Sequence, residues 1–322
     1  MKELIIEKKD AGQRLDKYLK KFFQEATGGF LYKMMRKKNI TCNGKKAEGK
    51  EILREHDKVQ VFFSDETFEK LRGTKAVSSQ FQKLADIDCA LLEVLFENED
   101  MLAVNKPAGM LSQKAREEDI SMNEIILSYL IKTGAVTEDS FALFHPSVAN
   151  RLDRNTTGLL LAGKTLQGQQ ALSAMLKDRS LVKRYHCIVA GRITEPQKLR
   201  GYLWKDERRN RVKLLEEACP GAKYIETEYA PVAAGEDGTL LSVHLITGRS
   251  HQIRAHLAGI GHPIIGDYKY GDIAINQKYD KLYHIRHQLL HACQMTLPDQ
   301  TVITAPYPED FEALVKKMKE VR

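Results

Sequence analysis

Apolar residues fall at helical intervals twice within the first forty positions. Leu15, Tyr18, Leu19 and Phe22 share one face, with Lys17, Lys20 and Lys21 between them. Thr27-Gly28-Gly29 ends that helix. Leu31, Met34 and Met35 then mark a second, whose end is crowded by Lys33, Arg36, Lys37 and Lys38. The period next drops to two: Ile40-Thr41-Cys42 and the alternating Val59, Val61 and Phe63 read as strands, and Asn43-Gly44 as a hairpin turn. Residues 1–63 are therefore expected to form one compact unit. Residues 64–90 are polar, with Ser64-Asp65-Glu66, Gly73, Ser78, Ser79 and Gln80, and read as a linker with some helix.

A larger unit is expected over 91–322. Leu92, Val94 and Phe96 alternate, Asn98-Glu99-Asp100 turns, and Met101 to Val104 makes another strand. Ser121 and Glu124 have capping-box spacing ahead of a helix whose apolar face carries Ile125, Ile126, Tyr129 and Leu130, with Gly134 closing it. The remainder mixes strands and helices without regular βαβ alternation, which predicts an α+β fold over a doubly wound parallel sheet.

The chain has 322 residues, long for one domain and comfortable for two, and 43% of them are apolar, enough for a buried core. No run of about 18 uncharged apolar residues is present, so no membrane span is expected, and the opening ten residues lack the apolar stretch of a signal peptide. Five scattered cysteines (Cys42, Cys89, Cys187, Cys219, Cys293) form neither a metal spacing nor a disulfide framework, which suits a reducing, cytoplasmic setting. Charge adds more. Residues 1–60 hold 13 Lys and 3 Arg against 9 acidic residues, which accounts for the whole net +7; the other 262 residues carry 34 basic and 34 acidic side chains. A block that concentrates all the excess charge is suited to neutralising phosphates; the alternative is a soluble lysine-rich domain without a polyanionic partner.

The stretch from His145 to Thr165 admits two opposed readings. Gly158, Gly163, Lys164 and Thr165 match a phosphate-binding loop, G-x-x-x-x-G-K-[ST]. Such a loop needs an open interior, whereas Leu159-Leu160-Leu161-Ala162 reads as a buried strand. A nucleotide cofactor is therefore not expected. The other reading puts Asp153 in a tight polar turn just before that strand, where an Asp most simply bonds nearby backbone.

Arg151-Leu-Asp-Arg-Asn-Thr-Thr-Gly-Leu-Leu-Leu161 resembles the signature of the RluA-type pseudouridine synthases, with Asn150 where most members carry His. Three further segments resemble that family in its own order: residues 97–109 with Asn105-Lys-Pro-Ala-Gly109, residues 183–191 around Tyr185, and residues 247–257 followed by Gly261-His-Pro-Ile-Ile-Gly-Asp267. The basic N-terminal block, through Arg14-Leu-Asp-Lys-Tyr-Leu19 and Ile40-Thr-Cys-Asn-Gly44, resembles the S-four-type αL RNA-binding module, with His56-Asp57 where that family usually has Gly-Asp. The resemblance implies a mixed, largely antiparallel central sheet, Asp153 as catalytic carboxylate, and Tyr185 as the ring that stacks on a flipped uracil and takes its carbon 5 proton. It also implies structured RNA, large-subunit ribosomal RNA by family habit, as substrate.

The chemistry agrees. Moving ribose from uracil nitrogen 1 to carbon 5 needs a carboxylate, a base and a dry pocket, but no redox or phosphate cofactor. Asp153 in a desolvated pocket needs a nearby cation. A helix opening at Ser250 would place Ile253, Leu257 and Ile260 on its apolar face and turn Arg254 away from the core, to pair bidentately with Asp153. Arg151, Arg154, Arg249 and His251 are the expected substrate-binding residues, and Arg14, Lys17, Lys33, Arg36 and Lys37 the RNA-binding ones. His251, His256 and His262 do not have zinc-ligand spacing, and no metal is expected. A monomer is the default. The competing function is a non-catalytic RNA-binding protein such as a ribosome-assembly factor.

Overall fold

The computed structural model describes residues 1–206, 211–235 and 237–320. Near the N-terminus, strands Lys2–Ile5, Lys58–Val61, Ile40–Cys42 and Lys45–Lys46 pair in that order into a small antiparallel sheet. Helices Leu15–Phe22 and Gly28–Arg36 bury Leu15, Tyr18, Leu19, Leu31 and Met35 in a core shared with Val59 and Val61. Thr27 caps the second helix by accepting the Phe30 N–H. Asn43 (φ 51°) and Gly44 (φ 73°) are both left-handed, as a two-residue hairpin turn of the primed type requires.

The segment read as a polar linker is more ordered than its composition suggests. It folds into helices Asp65–Arg72 and Thr74–Ala85. Phe68 enters the N-terminal core, and Val77 and Leu84 enter the main one. A few well-spaced apolar residues anchor each helix.

The main body holds a sheet of eleven strands among the described residues. Its path runs Arg211–Leu215, Gln197–Asp206, Lys223–Ala234, Gly238–Leu245, Val182–Ala190, Leu290–Thr296, Thr157–Gly163, Met101–Lys106 and Glu93–Glu97, with Ser147–Val148 and Val302–Thr304 attached at the side. Every pairing is antiparallel except that of Leu290–Thr296 with Thr157–Gly163. The fold is therefore α+β with a mixed, largely antiparallel sheet, as the motif pattern implied. At the parallel step the backbones nearly touch: a Cβ on Gly158 (φ 102°) would lie 2.3 Å from the Ala292 carbonyl oxygen, so only glycine fits. No helix among the described residues is long and apolar enough to cross a membrane.

Candidate active site

The strand Thr157–Gly163 is buried along its whole length, which takes Gly158 and Gly163 out of any phosphate loop. Lys164 instead bonds Glu97, and Thr165 caps the helix Leu166–Asp178 by accepting the Gly168 N–H. What this strand does is hold the turn before it. Asn150 accepts the Leu161 N–H at 2.7 Å and donates to the Leu159 carbonyl at 3.3 Å. Ser112 Oγ both donates to the Leu152 carbonyl and accepts its N–H, each at 2.9 Å. Lys106, fully buried, donates to the carbonyls of Pro107, Met110 and Arg154 at 2.8, 2.7 and 2.8 Å. Burial draws its ammonium down to about 7 against the opposing pull of Asp153's charge. Three carbonyl acceptors match the three protons of the charged form. Asp153 is thus fixed from both flanks.

Arg254 reaches Asp153 from a distant stretch of chain. Its helix is Gln252–Gly259, two residues later than the expected opening at Ser250, because His251 is left-handed (φ 55°) and stands before it. Gln252 pins this start: its oxygen accepts from Thr247 Oγ1 and the Arg249 N–H, and its nitrogen donates to the Glu226 carbonyl and Thr227 Oγ1. Arg254 is buried, not turned away from the core, and its Nη1 donates to Asp153 Oδ2 at 2.8 Å. The expected bidentate pair goes elsewhere. Arg254 Nε and Nη2 donate to Asp267 Oδ2 and Oδ1 at 2.7 and 2.9 Å. Asp267 was missed by sequence reasoning, although Gly266-Asp267 closes a segment that carries the family resemblance.

Tyr185 lies on the strand Val182–Ala190 and points inward with Cys187 and Val189. It lines the same small recess, about 60 Å³, as Asp153 and Arg254. That recess shares most of its lining with a cleft of about 960 Å³, within the size range of ligand sites. Burial, then Asp153's charge, pushes the Tyr185 phenol well above its ordinary range. That shift keeps the phenol protonated near neutral pH.

Of the expected substrate-binding residues, Arg151, Arg154 and Arg249 are exposed and line the cleft. His251 lies deeper, its Nε2 3.9 Å from Asp153 Oδ1 and its Nδ1 2.8 Å from the Tyr270 hydroxyl. Burial draws its imidazole down to about 4, so at pH 7 it is neutral and offers hydrogen bonds rather than charge. His256 and His262 bond Thr227 Oγ1 and the Ala190 carbonyl, and no described group of three His, Cys, Asp or Glu side chains could hold a metal. In the N-terminal unit Lys17, Lys33, Arg36 and Lys37 are exposed, while Arg14 is already held by both oxygens of Asp16 at 3.1 and 2.9 Å.

The RNA pseudouridylate synthase family matches residues 100–259, which include Asp153, Tyr185 and Arg254. The ribosomal large subunit pseudouridine synthase C of Rickettsia felis is 30% identical over 89% of this chain and 89% of its own length. This chain belongs to the pseudouridine synthase family. An uncharacterized RNA pseudouridine synthase of Mycoplasma genitalium is 27% identical over 99% of this chain and 96% of its own. Among solved structures, the human RNA pseudouridylate synthase domain containing 4 covers 76% of this synthase, and is itself covered to 97%, with a TM-score of 0.56 and 19% identity, a likeness of fold.

Proposed function

We propose that this synthase isomerises uridines in structured RNA, large-subunit ribosomal RNA being its substrate, with Asp153 as the catalytic carboxylate. The observation that carries the reading is the chain Asp153–Arg254–Asp267 at the base of a nucleotide-sized cleft. Relatives named for the ribosomal large subunit span nearly the whole length of the chain and support the choice of RNA. The reaction breaks the bond from ribose carbon 1′ to uracil nitrogen 1 and forms one from carbon 1′ to carbon 5. The carbon 5 proton leaves and nitrogen 1 gains one, so composition is unchanged. Asp153 serves either by attacking carbon 1′ or by abstracting a sugar proton. Afterwards Asp153 takes up the carbon 5 proton, while Tyr185 stacks on the uracil and donates a hydrogen bond.

A uridine inside a helix must leave its stack to reach this recess. Arg151, Arg154 and Arg249 at the cleft are suited to the backbone phosphates of an everted nucleotide. Residues 1–63 act as an RNA-binding unit through Lys17, Lys33, Arg36 and Lys37, with Arg14 orienting Asp16; residues 91–322 form the catalytic unit, in a cytoplasmic enzyme. The test is release of tritium from RNA labelled at uridine carbon 5, with no cofactor added. The parent protein releases label; Asp153→Asn binds the RNA and releases none. Release by the variant removes Asp153 from the mechanism, and RNA binding without release by the parent supports the assembly-factor reading.

A further inference from the structure

Two of the three buried cations among the described residues have evident partners: Arg254 faces two carboxylates and Lys106 has three carbonyls. Lys183 does not. It is 6% exposed, yet its ammonium has a single long contact, 3.5 Å to the carbonyl of Leu181. No carboxylate among the described residues lies within ion-pair distance of it. It lines the cleft with Lys177, Arg179, Arg154, Asp153 and Tyr185, and the one charge that perturbs it there is the positive Arg179. Burial first, and then the Arg179 guanidinium, draw the ammonium below its ordinary range. An ammonium held this way is costly, and a purely packing role at this position would be better met by an apolar side chain.

We infer that Lys183 receives a phosphodiester of the RNA strand that carries the target uridine. Lys183 and Tyr185 are alternate residues of one strand and share its inward face. Their Cα atoms are therefore about 7 Å apart. A base stacked on Tyr185 would have its own backbone, or a neighbour's, within reach of the ammonium. The anion is supplied by the substrate, which explains why the protein supplies none. Arg179, left-handed at φ 67° after the helix Leu166–Asp178, stands at the rim of the same wall as a second contact.

This inference rests on the reading of the cleft as an RNA site, and its test does not depend on turnover. Asp153→Asn protein, with and without Lys183→Met, is titrated with an unmodified transcript of large-subunit ribosomal RNA at several salt concentrations. Lys183→Met is expected to weaken binding about tenfold at low salt and to reduce the slope of log K on log salt by about 0.7, the value for one single-strand phosphate. Lys183→Arg keeps the charge and retains the slope. Unchanged affinity and slope in Lys183→Met overturns the inference, as does an equal loss in the Met and Arg variants, which marks a packing defect. Absence of RNA binding by the parent overturns both this and the proposed function. A slope change together with a wild-type protein that releases no tritium leaves Lys183 as an RNA contact and overturns only the enzymatic reading.

Discussion

Arg254 gives the paired Nε and Nη2 edge of its guanidinium to Asp267 and leaves Nη1 alone for Asp153. The fork fixes the plane and direction of the guanidinium, so Asp267 positions Asp153 without touching it. Burial alone would raise the Asp267 carboxyl; the bonds and charge of Arg254 and the N–H groups of Lys269 and Tyr270 overcome this and hold it below its ordinary value. Asp267→Asn keeps the volume and removes the charge. Expected are a fall in kcat on the order of a hundredfold, RNA affinity within a few fold, and a loss of about 3 kcal/mol in unfolding free energy. Tritium release, binding titration and urea unfolding read the three. An unchanged kcat would exclude the positioning role.

Tyr185 gives a prediction about pH. With its phenol raised by burial and by Asp153, it stays protonated across the neutral range. The rate should therefore show no rise from Tyr185 ionisation between pH 6 and 9.5. A phenolate base would instead raise it tenfold per pH unit while the phenol remained mostly protonated. Tyr185→Phe, which keeps the ring, should bind RNA within about twofold and lose rate on the order of a hundredfold, as expected for a lost donor. A steep alkaline rise in the parent enzyme would return Tyr185 to the role of proton acceptor.

Two buried histidines tie stability to pH. His291 joins the parallel strands through Thr157 Oγ1 at 2.8 Å, and His256 bonds Thr227 Oγ1 at 2.9 Å. Burial draws each imidazole down to about 4. Unfolded histidine titrates near 6.5, so below that pH the unfolded chain binds more protons than the folded one. Their contribution is complete above about pH 6.5 and declines as pH falls toward 4. The expected slope is about 1.4 kcal/mol per pH unit for each histidine. Urea unfolding at pH 7, 6 and 5 measures it, and His291→Gln should remove one proton from the slope. An equal slope in the variant would exclude His291 as a contributor.

Local patterns were legible where one segment suffices. The two N-terminal helices, the Asn43-Gly44 hairpin, the Ser121 cap with Glu124 and the inward face of Tyr185 all follow from spacing, because each is settled by residues close in sequence. The family signature placed Asp153 before a buried strand, and the structure brings it against Arg254. What spacing could not reveal were choices between distant partners. Whether Arg254 forks to Asp153 or to Asp267 depends on how the turn after Gly266 comes back over the helix. Lys106 reads as an ordinary strand-end lysine until three carbonyls close around it. Some helix is expected over 64–90, but the packing of the helices over 65–85 is not, because only Phe68, Val77 and Leu84 report their burial.

His56 marks a local conflict that can be relieved. It is left-handed at φ 68°, and its side chain is largely exposed. An L-residue in that region carries strain of about 1 kcal/mol or more, while the contact to Glu55 at 3.9 Å is an exposed pair of little worth. The turn is otherwise well held, since Asp57 accepts from the Arg54 N–H at 2.7 Å and from Asn43 Nδ2 at 2.8 Å. Glycine removes the strain and costs some chain entropy in the unfolded state. His56→Gly should therefore raise the unfolding free energy by about 0.5–1 kcal/mol, with tritium release within twofold of the parent. His56→Ala loses the same ring and keeps the strain, so it should give no such gain. Equal stability of the Gly and Ala variants would mean that the backbone at His56 stores no strain.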